Sequence, residues 1–235
     1  MAKLETSSGI VKVSIIIPAL NEAEILEKTI SKIVEQAPVE IIVVDGGSQD
    51  ETSEIANKLG VKVIYSTQRN RAYQMNLGAA TATGEIFLFL HADTLLPTGY
   101  FSLLSEVLAR PQTVAGAFEL GIDGVQQSFR LLETAVNWRS RFLSLPYGDQ
   151  ALFMKAEVFQ QVGGFANLPI MEDFDLVQRL KKQGKIYIVP VKVLTSSRRW
   201  QKLGICRTTA INQLIVLGYY LGISPTKLAR WYGRK

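Results

Sequence analysis

Acidic, amide and imidazole side chains stand where three apolar runs of the sequence end. Asn21 and Glu22 follow VSIIIPAL, Asp45 closes EIIVVD, and His91 and Asp93 follow EIFLFL. Each of these residues alone is an ordinary turn or helix-capping residue. Three such run ends together favour a site, because carboxylate oxygens are the ligands that Mg²⁺ and Mn²⁺ prefer, commonly together with substrate phosphates.

Two arginines add the chemistry of phosphate binding. Arg69 and Arg71 follow the apolar run VKVIYS. The sequence has neither the G-x-G-x-x-G turn of dinucleotide-binding proteins after its first run nor the G-K-[ST] of a P-loop. HADT is similar to the D-x-D-x-T of some phosphatases, but a histidine replaces their nucleophile. The remaining interpretation is an acidic edge that holds a divalent cation, with arginines for a diphosphate.

The elements that must position these side chains alternate along the first half of the chain. Continuous apolar runs, typical of strands covered on both faces, occur at VKVSIIIP, EIIVVD, VKVIYS and EIFLFL. Helical patterns lie between them, the first predicted to begin with Asn21 and Glu24 as a capping pair. The alternation predicts an α/β fold with a largely parallel sheet. In such sheets ligands bind beyond the carboxyl ends of the strands.

The second half of the chain has a less regular pattern. VAGAFELGI predicts a strand, 125–143 a helix, and QALFMKAEVFQQVGGF a strand that leads into a short helix. MEDFDLVQRLKKQG predicts a helix with acids in its first turn and lysines in its last. KIYIVPVKVLT predicts one or two short strands. No internal repeat or linker is present, so we expect one domain over residues 1–235.

Composition restricts the class of protein. The 235 residues are 47% hydrophobic and 20% charged, as in ordinary soluble globular proteins. The single cysteine excludes an internal disulfide framework. The first nine residues, MAKLETSSG, lack the apolar core of a signal peptide, and no segment reaches the roughly 18–20 apolar residues of a membrane span. We therefore expect a cytoplasmic protein.

Charge is distributed unevenly along the chain. Residues 176–235 contain 13 of the 26 Lys and Arg and no Asp or Glu. Such a block suits an anionic partner, such as a membrane surface or a phosphorylated substrate. The apolar stretch ICRTTAINQLIVLGYYLGISP is either a helix packed on the core, which we favour slightly, or an interfacial helix. The basic residues beyond it could meet a membrane in either case: Lys227, Arg230, Arg234 and Lys235.

Six segments, in this order, resemble family 2 glycosyltransferases, which have the GT-A fold: VSIIIPALNE, IIVVDGGSQDET, GEIFLFLHADTLLP, YGDQALFMKAEVFQQVGGF, PIMEDFDLVQRL and SSRRW. RNRAYQMNLGAA combined with FLHADTLLP is similar to a subgroup of short bacterial members. The resemblance covers nearly the whole chain. It implies a single Rossmann-like domain with a mostly parallel sheet flanked by helices. A nucleotide-binding half would span about 10–95, an acceptor half about 96–200 and a basic helical segment about 201–235.

The resemblance implies a site for a nucleotide-sugar donor. The donor would contact Arg71, Asp93 and the residues that follow the first two strands: Pro18, Ala19, Glu22 and Asp45. Many members have a second Asp where this chain has Gly46, which leaves the nucleotide open. The metal motif of the family corresponds to His91-Ala92-Asp93. Asp93 would hold Mn²⁺ or Mg²⁺, with His91 assisting as a ligand or touching phosphate.

The resemblance also implies a base and an acceptor site. In an inverting transfer, the Asp of the Glu172-Asp173 pair would take the proton of the acceptor hydroxyl. From the pattern alone, this pair reads as ordinary acids at a helix start. Asp149 would line the acceptor site. The Arg198, Arg199 and Trp200 element would contact phosphate or acceptor.

The expected function is therefore a metal-dependent glycosyltransferase of hexosyltransferase type. Its acceptor is open and includes lipid-linked molecules, and association with the inner face of an anionic membrane fits the basic segment. One alternative is an inactive nucleotide- or membrane-binding module, favoured by the departures at Gly46 and His91. A sugar-phosphate nucleotidyltransferase is disfavoured, because PALNEAEIL lacks a glycine-rich basic loop. A retaining mechanism stays open, and no nucleic-acid-binding pattern is visible.

Overall fold

A computed structural model describes residues 11–34 and 39–233. The polar first nine residues and two of the predicted basic residues, Arg234 and Lys235, lie outside these ranges. Within them, no helix combines the length and the apolar character needed to cross a membrane.

In the described ranges, eight strands form one twisted sheet in the spatial order β3-β2-β1-β4-β7-β6-β8-β5. The pairs β1–β2, β2–β3, β1–β4 and β6–β8 are parallel, whereas β7 is antiparallel to β4 and β6, and β5 to β8. The strand bounds are β1 Val13–Ala19, β2 Glu40–Asp45, β3 Lys62–Tyr65, β4 Ile86–Phe89, β5 Thr94–Leu95, β6 Thr113–Asp123, β7 Phe153–Lys155 and β8 Lys185–Ser196. The predicted α/β class is confirmed.

Helices cover both faces of the sheet and continue beyond it at the end of the chain. Their bounds are α1 Ala23–Val34, α2 Thr52–Lys58, α3 Arg71–Thr81, α4 Tyr100–Leu108, α5 Gln127–Leu143, α6 Ala156–Gln161, α7 Glu172–Lys181, α8 Arg198–Leu203, α9 Ile205–Tyr220 and α10 Pro225–Trp231. A 3₁₀ turn, Gly148–Gln150, precedes β7.

The apolar run of β1 explains why the sheet is buried on both sides. Successive side chains of a strand point to opposite faces. Ile15 and Ile17 accordingly pack in the cluster that contains Leu26 of α1, while Ile16 packs in the cluster that contains Met75 of α3. Two cores therefore fix β1 and its neighbours, and with them the loops that leave the carboxyl ends of these strands.

The predicted capping pair of Asn21 and Glu24 is wrong. The carbonyl of Glu22 accepts the first helical hydrogen bonds, from the backbone N–H groups of Ile25 and Leu26, so α1 begins one residue later. Asn21 adopts a positive φ of 55°, and its side-chain oxygen accepts a 2.8 Å hydrogen bond from the backbone of Gln49. The amide therefore ties the loop after β1 to the loop after β2.

The last predicted strand region is one continuous strand. KIYIVPVKVLT lies in β8, which runs for 12 residues beside β6 with irregular pairing near Phe118 and Glu119. The far end of β8 reaches the cavity, where the backbone N–H of Ser196 donates to the carbonyl of Asp93, so that α8 begins beside the loop after β4.

Candidate functional site

A cavity of about 260 Å³ opens at the carboxyl ends of β1 and β4. Most of the sequence-predicted site residues line it: Pro18, Glu22, Arg71, His91, Asp93, Asp149, Glu172, Asp173, Arg199 and Trp200. Ala19, Asp45 and Arg198 do not line it. The structure therefore brings residues from both halves of the chain to one place.

Asp173 is held on the cavity wall by two backbone donors. Its Oδ2 accepts a 2.7 Å hydrogen bond from the N–H of Gly148, and its Oδ1 accepts one of 2.7 Å from the N–H of Phe174. It lies in the first turn of α7, where the helix dipole favours negative charge. The carboxylate therefore has a fixed orientation towards the cavity.

Gly148 leaves the space that Asp173 and His91 occupy. A Cβ at this position would lie 3.1 Å from Oδ2 of Asp173 and 3.2 Å from Nε2 of His91. Sequence reasoning missed Gly148, because a glycine before Asp149 reads as ordinary turn chemistry. The contact that gives it a role joins residues 25 positions apart.

Gly148→Ala should lower turnover by about 10- to 100-fold, because both side chains must shift by a few tenths of an ångström from a fixed geometry. The measurement is steady-state turnover alongside urea unfolding. Gly163→Ala serves as the control, because Gly163 has nothing within 4 Å of its added Cβ; its positive φ makes it a test of strain rather than of crowding. Unchanged turnover in Gly148→Ala would contradict the role of this turn.

Glu172 is buried and faces Arg71, with 3.7 Å between Oε1 and Nη1. Arg71 is the first residue of α3 and lines the cavity. The pair joins the start of α3 to the start of α7. Glu172 is therefore placed to orient Arg71, while its neighbour Asp173 faces the cavity.

Glu22 and Asp93 share one arginine. Nη2 of Arg198 donates a hydrogen bond to Oε2 of Glu22 and lies 3.7 Å from Oδ2 of Asp93. Burial raises the pKa of the Glu22 carboxyl and nearby Asp93 adds to the rise, while Arg198 opposes it. The acid predicted to contact the donor, Glu22, and the predicted metal ligand, Asp93, are therefore close enough to interact with a single positive charge.

Asp149 is an acid without a hydrogen-bond partner for one of its oxygens. Its Oδ1 is buried and has no such partner within residues 11–34 and 39–233. Burial, followed by the nearby charges of Asp173 and Asp93, raises the pKa of Asp149 to about 6, although Arg139 acts against the rise. Arg139 itself stacks on the Tyr147 ring, with its Cζ 3.6 Å from the ring centroid.

Asp149→Asn should stabilise the protein at neutral pH, by up to about 3 kcal/mol. The folded-state pKa is above the unfolded value of about 3.9, so the folded protein binds the proton more tightly. The stability that Asp149 contributes is present below about pH 4 and lost as pH rises to about 6. Asn mimics the protonated carboxyl, so its advantage should grow over this window. Urea unfolding across pH measures it, and an advantage independent of pH would contradict the shift.

Asp45 is engaged within its own loop. Its carboxylate accepts hydrogen bonds from the backbone N–H groups of Gly47 and Ser48, at 3.1 Å to Oδ2 in each case, and from the Ser48 hydroxyl. The adjacent Gly46 is explained by Gln74, whose Nε2 would lie 3.0 Å from an added Cβ. That nitrogen donates to the carbonyls of Ala19 and Val44. Gln74 thus occupies the space that a second acid would need.

The donor atoms fit a divalent cation only if the substrate supplies further ligands. No three His, Cys, Asp or Glu side chains of the described ranges lie close enough together to hold a metal ion. Asp93 and His91 nevertheless face the same cavity. Mg²⁺-type sites often use one or two carboxylates, with phosphates and water completing the shell. Asp93 and His91 fit a site in which the protein and the substrate phosphates together would hold the cation.

Helices α8 to α10 form the other wall of the cavity. Arg199 stacks on the Tyr232 ring, 4.0 Å from its centroid, and its buried Nε has no hydrogen-bond partner in the part of the chain that the structure describes. The same is true of Oδ1 of Asn212, which lies on α9 and lines the cavity with the apolar Ile215 and Val216. Sequence reasoning missed Asn212, because it stands inside an apolar stretch without a motif.

The chain is similar to proteins of one family. The sequence model described as "Glycosyl transferase family 2" matches residues 14–166. A PGL/p-HBAD biosynthesis glycosyltransferase of Mycobacterium bovis BCG is 31% identical over 69% of this chain and 66% of its own length. A 4,4'-diaponeurosporenoate glycosyltransferase of Staphylococcus haemolyticus is 38% identical over 36% of this chain and 24% of its own.

Solved structures share the fold. The mannosyltransferase PcManGT of Pyrobaculum calidifontis, in complex with GDP-Man and Mn²⁺, is 22% identical with a TM-score of 0.64 over 78% of this chain and 56% of its own. Fragment 1-349 of S. aureus TarS in complex with UDP is 18% identical with a TM-score of 0.65, over 79% of this chain and 60% of its own. This chain is thus shorter than the relatives it matches. The expected GT-A fold is confirmed, and the chain belongs to glycosyl transferase family 2.

Proposed function

We propose that this chain transfers a sugar from a nucleoside-diphosphate donor to an acceptor hydroxyl, with inversion at the anomeric carbon. The observation that carries the proposal is the carboxylate of Asp173, fixed by two backbone N–H groups on the wall of a cavity that Asp93 also lines. Family membership and the ligands bound by the structural relatives support it: the nucleotide sugar GDP-Man in one and the nucleoside diphosphate UDP in the other.

In the proposed reaction the acceptor oxygen attacks the anomeric carbon while Asp173 takes the proton of the hydroxyl. The bond between that carbon and the diphosphate oxygen breaks, and its electron pair leaves with the nucleoside diphosphate. Asp173 is then protonated and must lose the proton to water before another turnover. Glu172 orients Arg71, which is close enough to the cavity to meet the diphosphate.

Asp93, with His91, is proposed to hold Mn²⁺ or Mg²⁺ together with the donor diphosphate. A bound divalent cation supplies Lewis-acid stabilisation of the negative charge on the leaving group, worth several kcal/mol. Glu22 is proposed to contact the ribose, and the loops containing Pro18, Ala19 and Asp45 are proposed to hold the nucleoside. For Asp45, this role requires that the nucleobase contact the loop of Gly47 and Ser48, which the Asp45 carboxylate holds by hydrogen bonds.

The acceptor is proposed to bind between Asp149 and the helical wall. The wall offers Arg199, Trp200 and Asn212, of which the buried Nε of Arg199 and Oδ1 of Asn212 have no hydrogen-bond partner among the described residues. Buried polar atoms are usually paired in native structures. An acceptor with polar groups would pair these two atoms while its carbon skeleton packs on Ile215 and Val216.

The test begins with calorimetric titration of UDP, GDP, CDP and dTDP, each with and without Mn²⁺. We expect one diphosphate to bind, and to bind more tightly with the metal. The matching nucleotide sugars are then assayed for release of the diphosphate, and the anomeric configuration of the sugar product is determined by NMR. Absence of binding by all four in folded protein would contradict the donor proposal, and a retained configuration would contradict single displacement.

A further inference from the structure

One face of α9 is apolar and uncovered. Leu214, Leu217 and Leu221, at the spacing of one helical face, are 59%, 54% and 71% exposed. Trp231 of α10 is 60% exposed, and its ring lies beside Gly218 of α9. We name these four residues the outer face. Contiguous apolar patches of this kind mark interaction sites more often than single exposed residues do.

The opposite side of α9 is firmly held. Ile215 is buried on that side. Gly218, which lies between that side and the outer face, is also buried, and Leu228 of α10 packs against it. The ring of Phe174, at the start of α7, lies 5.5 Å from that of Tyr219. Because these contacts fix the rotation of the helix, the outer face points away from the protein as a permanent feature.

The charged residues of α8, α9 and α10 have one sign. Four exposed cations stand on these helices: Lys202 on α8, Arg207 on α9, and Lys227 and Arg230 on α10. No Asp or Glu occurs in residues 176–235. An apolar helix face with tryptophan and leucine, accompanied by Lys and Arg, is typical of helices that lie in the headgroup region of an anionic bilayer.

A second exposed apolar stripe shows why charge matters here. Leu131, Trp138 and Phe142 of α5 are also exposed. Two arginines near that stripe, however, are paired with acids: Arg130 with Glu133 at 3.0 Å, and Arg141 with Glu119. Acids therefore offset part of the positive charge near this stripe, whereas α9 and α10 contain no acid.

We propose that the outer face docks on an anionic lipid bilayer. Residues on the opposite side of the same helix, Thr208, Asn212, Ile215 and Val216, line the cavity. A helix with its side chains is about 10–12 Å across, so docking brings the cavity to within about that distance of the lipid headgroups. The acceptor is then a membrane amphiphile. The docking stands without the proposed sugar transfer, whereas the class of acceptor rests on it.

The test uses the full chain and flotation with vesicles of phosphatidylcholine alone or mixed equally with phosphatidylglycerol. We expect binding to the mixed vesicles only, with strong weakening between about 0.1 M and about 1 M salt, where the Debye length falls from about 10 Å to about 3 Å. Binding to neither vesicle, or to both alike, would overturn the proposal. No donor is present, so failure here is distinct from failure of the sugar-transfer proposal, which the nucleotide titrations test.

Two pairs of variants locate the docking surface. Leu214→Ser with Leu217→Ser should weaken partitioning by about tenfold or more, because both leucines leave the lipid. The control is Val34→Ser with Tyr65→Ser, two exposed apolar residues on other elements. Weakening by the control, or none by the leucine pair, would overturn the assignment of the face.

Arg207→Glu with Lys227→Glu should weaken partitioning by at least about 25-fold, since each cation near the surface contributes about fivefold. Lys28→Glu with Lys58→Glu changes the net charge equally on α1 and α2 and should have a much smaller effect. Equal effects would show attraction by net charge alone and overturn the assignment.

Light scattering after gel filtration tests whether a second copy of the chain occupies the outer face. A dimer that dissociates when Leu214 and Leu217 are replaced by serine would also overturn the proposal.

Discussion

Replacing Asp173 by asparagine is expected to lower turnover by about 10²- to 10⁴-fold while donor affinity stays within a small factor. Asparagine fills the same volume but cannot take the proton of the acceptor hydroxyl. It also offers one acceptor oxygen where the carboxylate offers two, so one of the N–H groups of Gly148 and Phe174 loses its partner. The second effect concerns positioning and stability and is the smaller one.

The measurement is release of the nucleoside diphosphate from the donor identified by calorimetry, at saturating donor. Asp175→Asn is the matched control, because Asp175 lies on the same helix and forms a 2.7 Å ion pair with Arg179 instead of lining the cavity. The control should lose some stability and keep its turnover. Equal turnover in wild type and Asp173→Asn would remove Asp173 from the role of base.

Asp93→Asn is expected to weaken metal-dependent binding of the diphosphate by about 10²-fold or more, and to lower turnover at least as much. The loss of the anionic ligand removes the cation that stabilises the leaving group, a contribution of several kcal/mol. Titration of the diphosphate at several Mn²⁺ concentrations measures the effect. Full Mn²⁺ dependence in the variant would exclude Asp93 as the metal ligand.

Glu22→Gln distinguishes the loss of a metal ligand from a disturbance of the shared Arg198. Both Glu22 and Asp93 interact with Arg198, so either substitution disturbs that side chain. If Asp93 is the ligand, only its replacement abolishes the dependence on metal, whereas Glu22→Gln weakens binding equally with and without Mn²⁺. Loss of the dependence in both variants would instead indicate an effect transmitted through Arg198.

The elements of the first half could be predicted from the sequence because their signal is local. Apolar runs and helical patterns need only a window of residues, and the runs at β1, β2 and β4 are continuous. The error at Asn21 arose because its side chain pairs with Gln49, a partner that no local pattern reveals. Residues 185–196 form one strand, β8, because they pair with β6, which is distant in sequence.

The same division holds for the candidate site. Glu22, Asp45 and Asp93 could be singled out because they stand at strand ends, where a rule of topology places ligands. Asp149, Glu172 and Asp173 were singled out only through the resemblance to the family. Gly148, Gln74 and Asn212 were not found, because each acquires a role only through distant contacts: with Asp173, with the carbonyls after two strands, and with the cavity. Residue type alone says little about such positions, since their surroundings decide what they do.

Arg198 of α8 contacts Glu22 in the loop after β1, across 176 positions of sequence. The cation proposed at Asp93 would compete with the guanidinium of Arg198 for the same carboxylate, and its binding would weaken this contact of α8. Linkage is reciprocal: whatever restrains α8 must alter the affinity for the ion by the same factor. Hydrogen–deuterium exchange of the backbone in 198–203 should therefore change when an ion binds at Asp93. The proposed metal site and the C-terminal helices would then be coupled through Arg198.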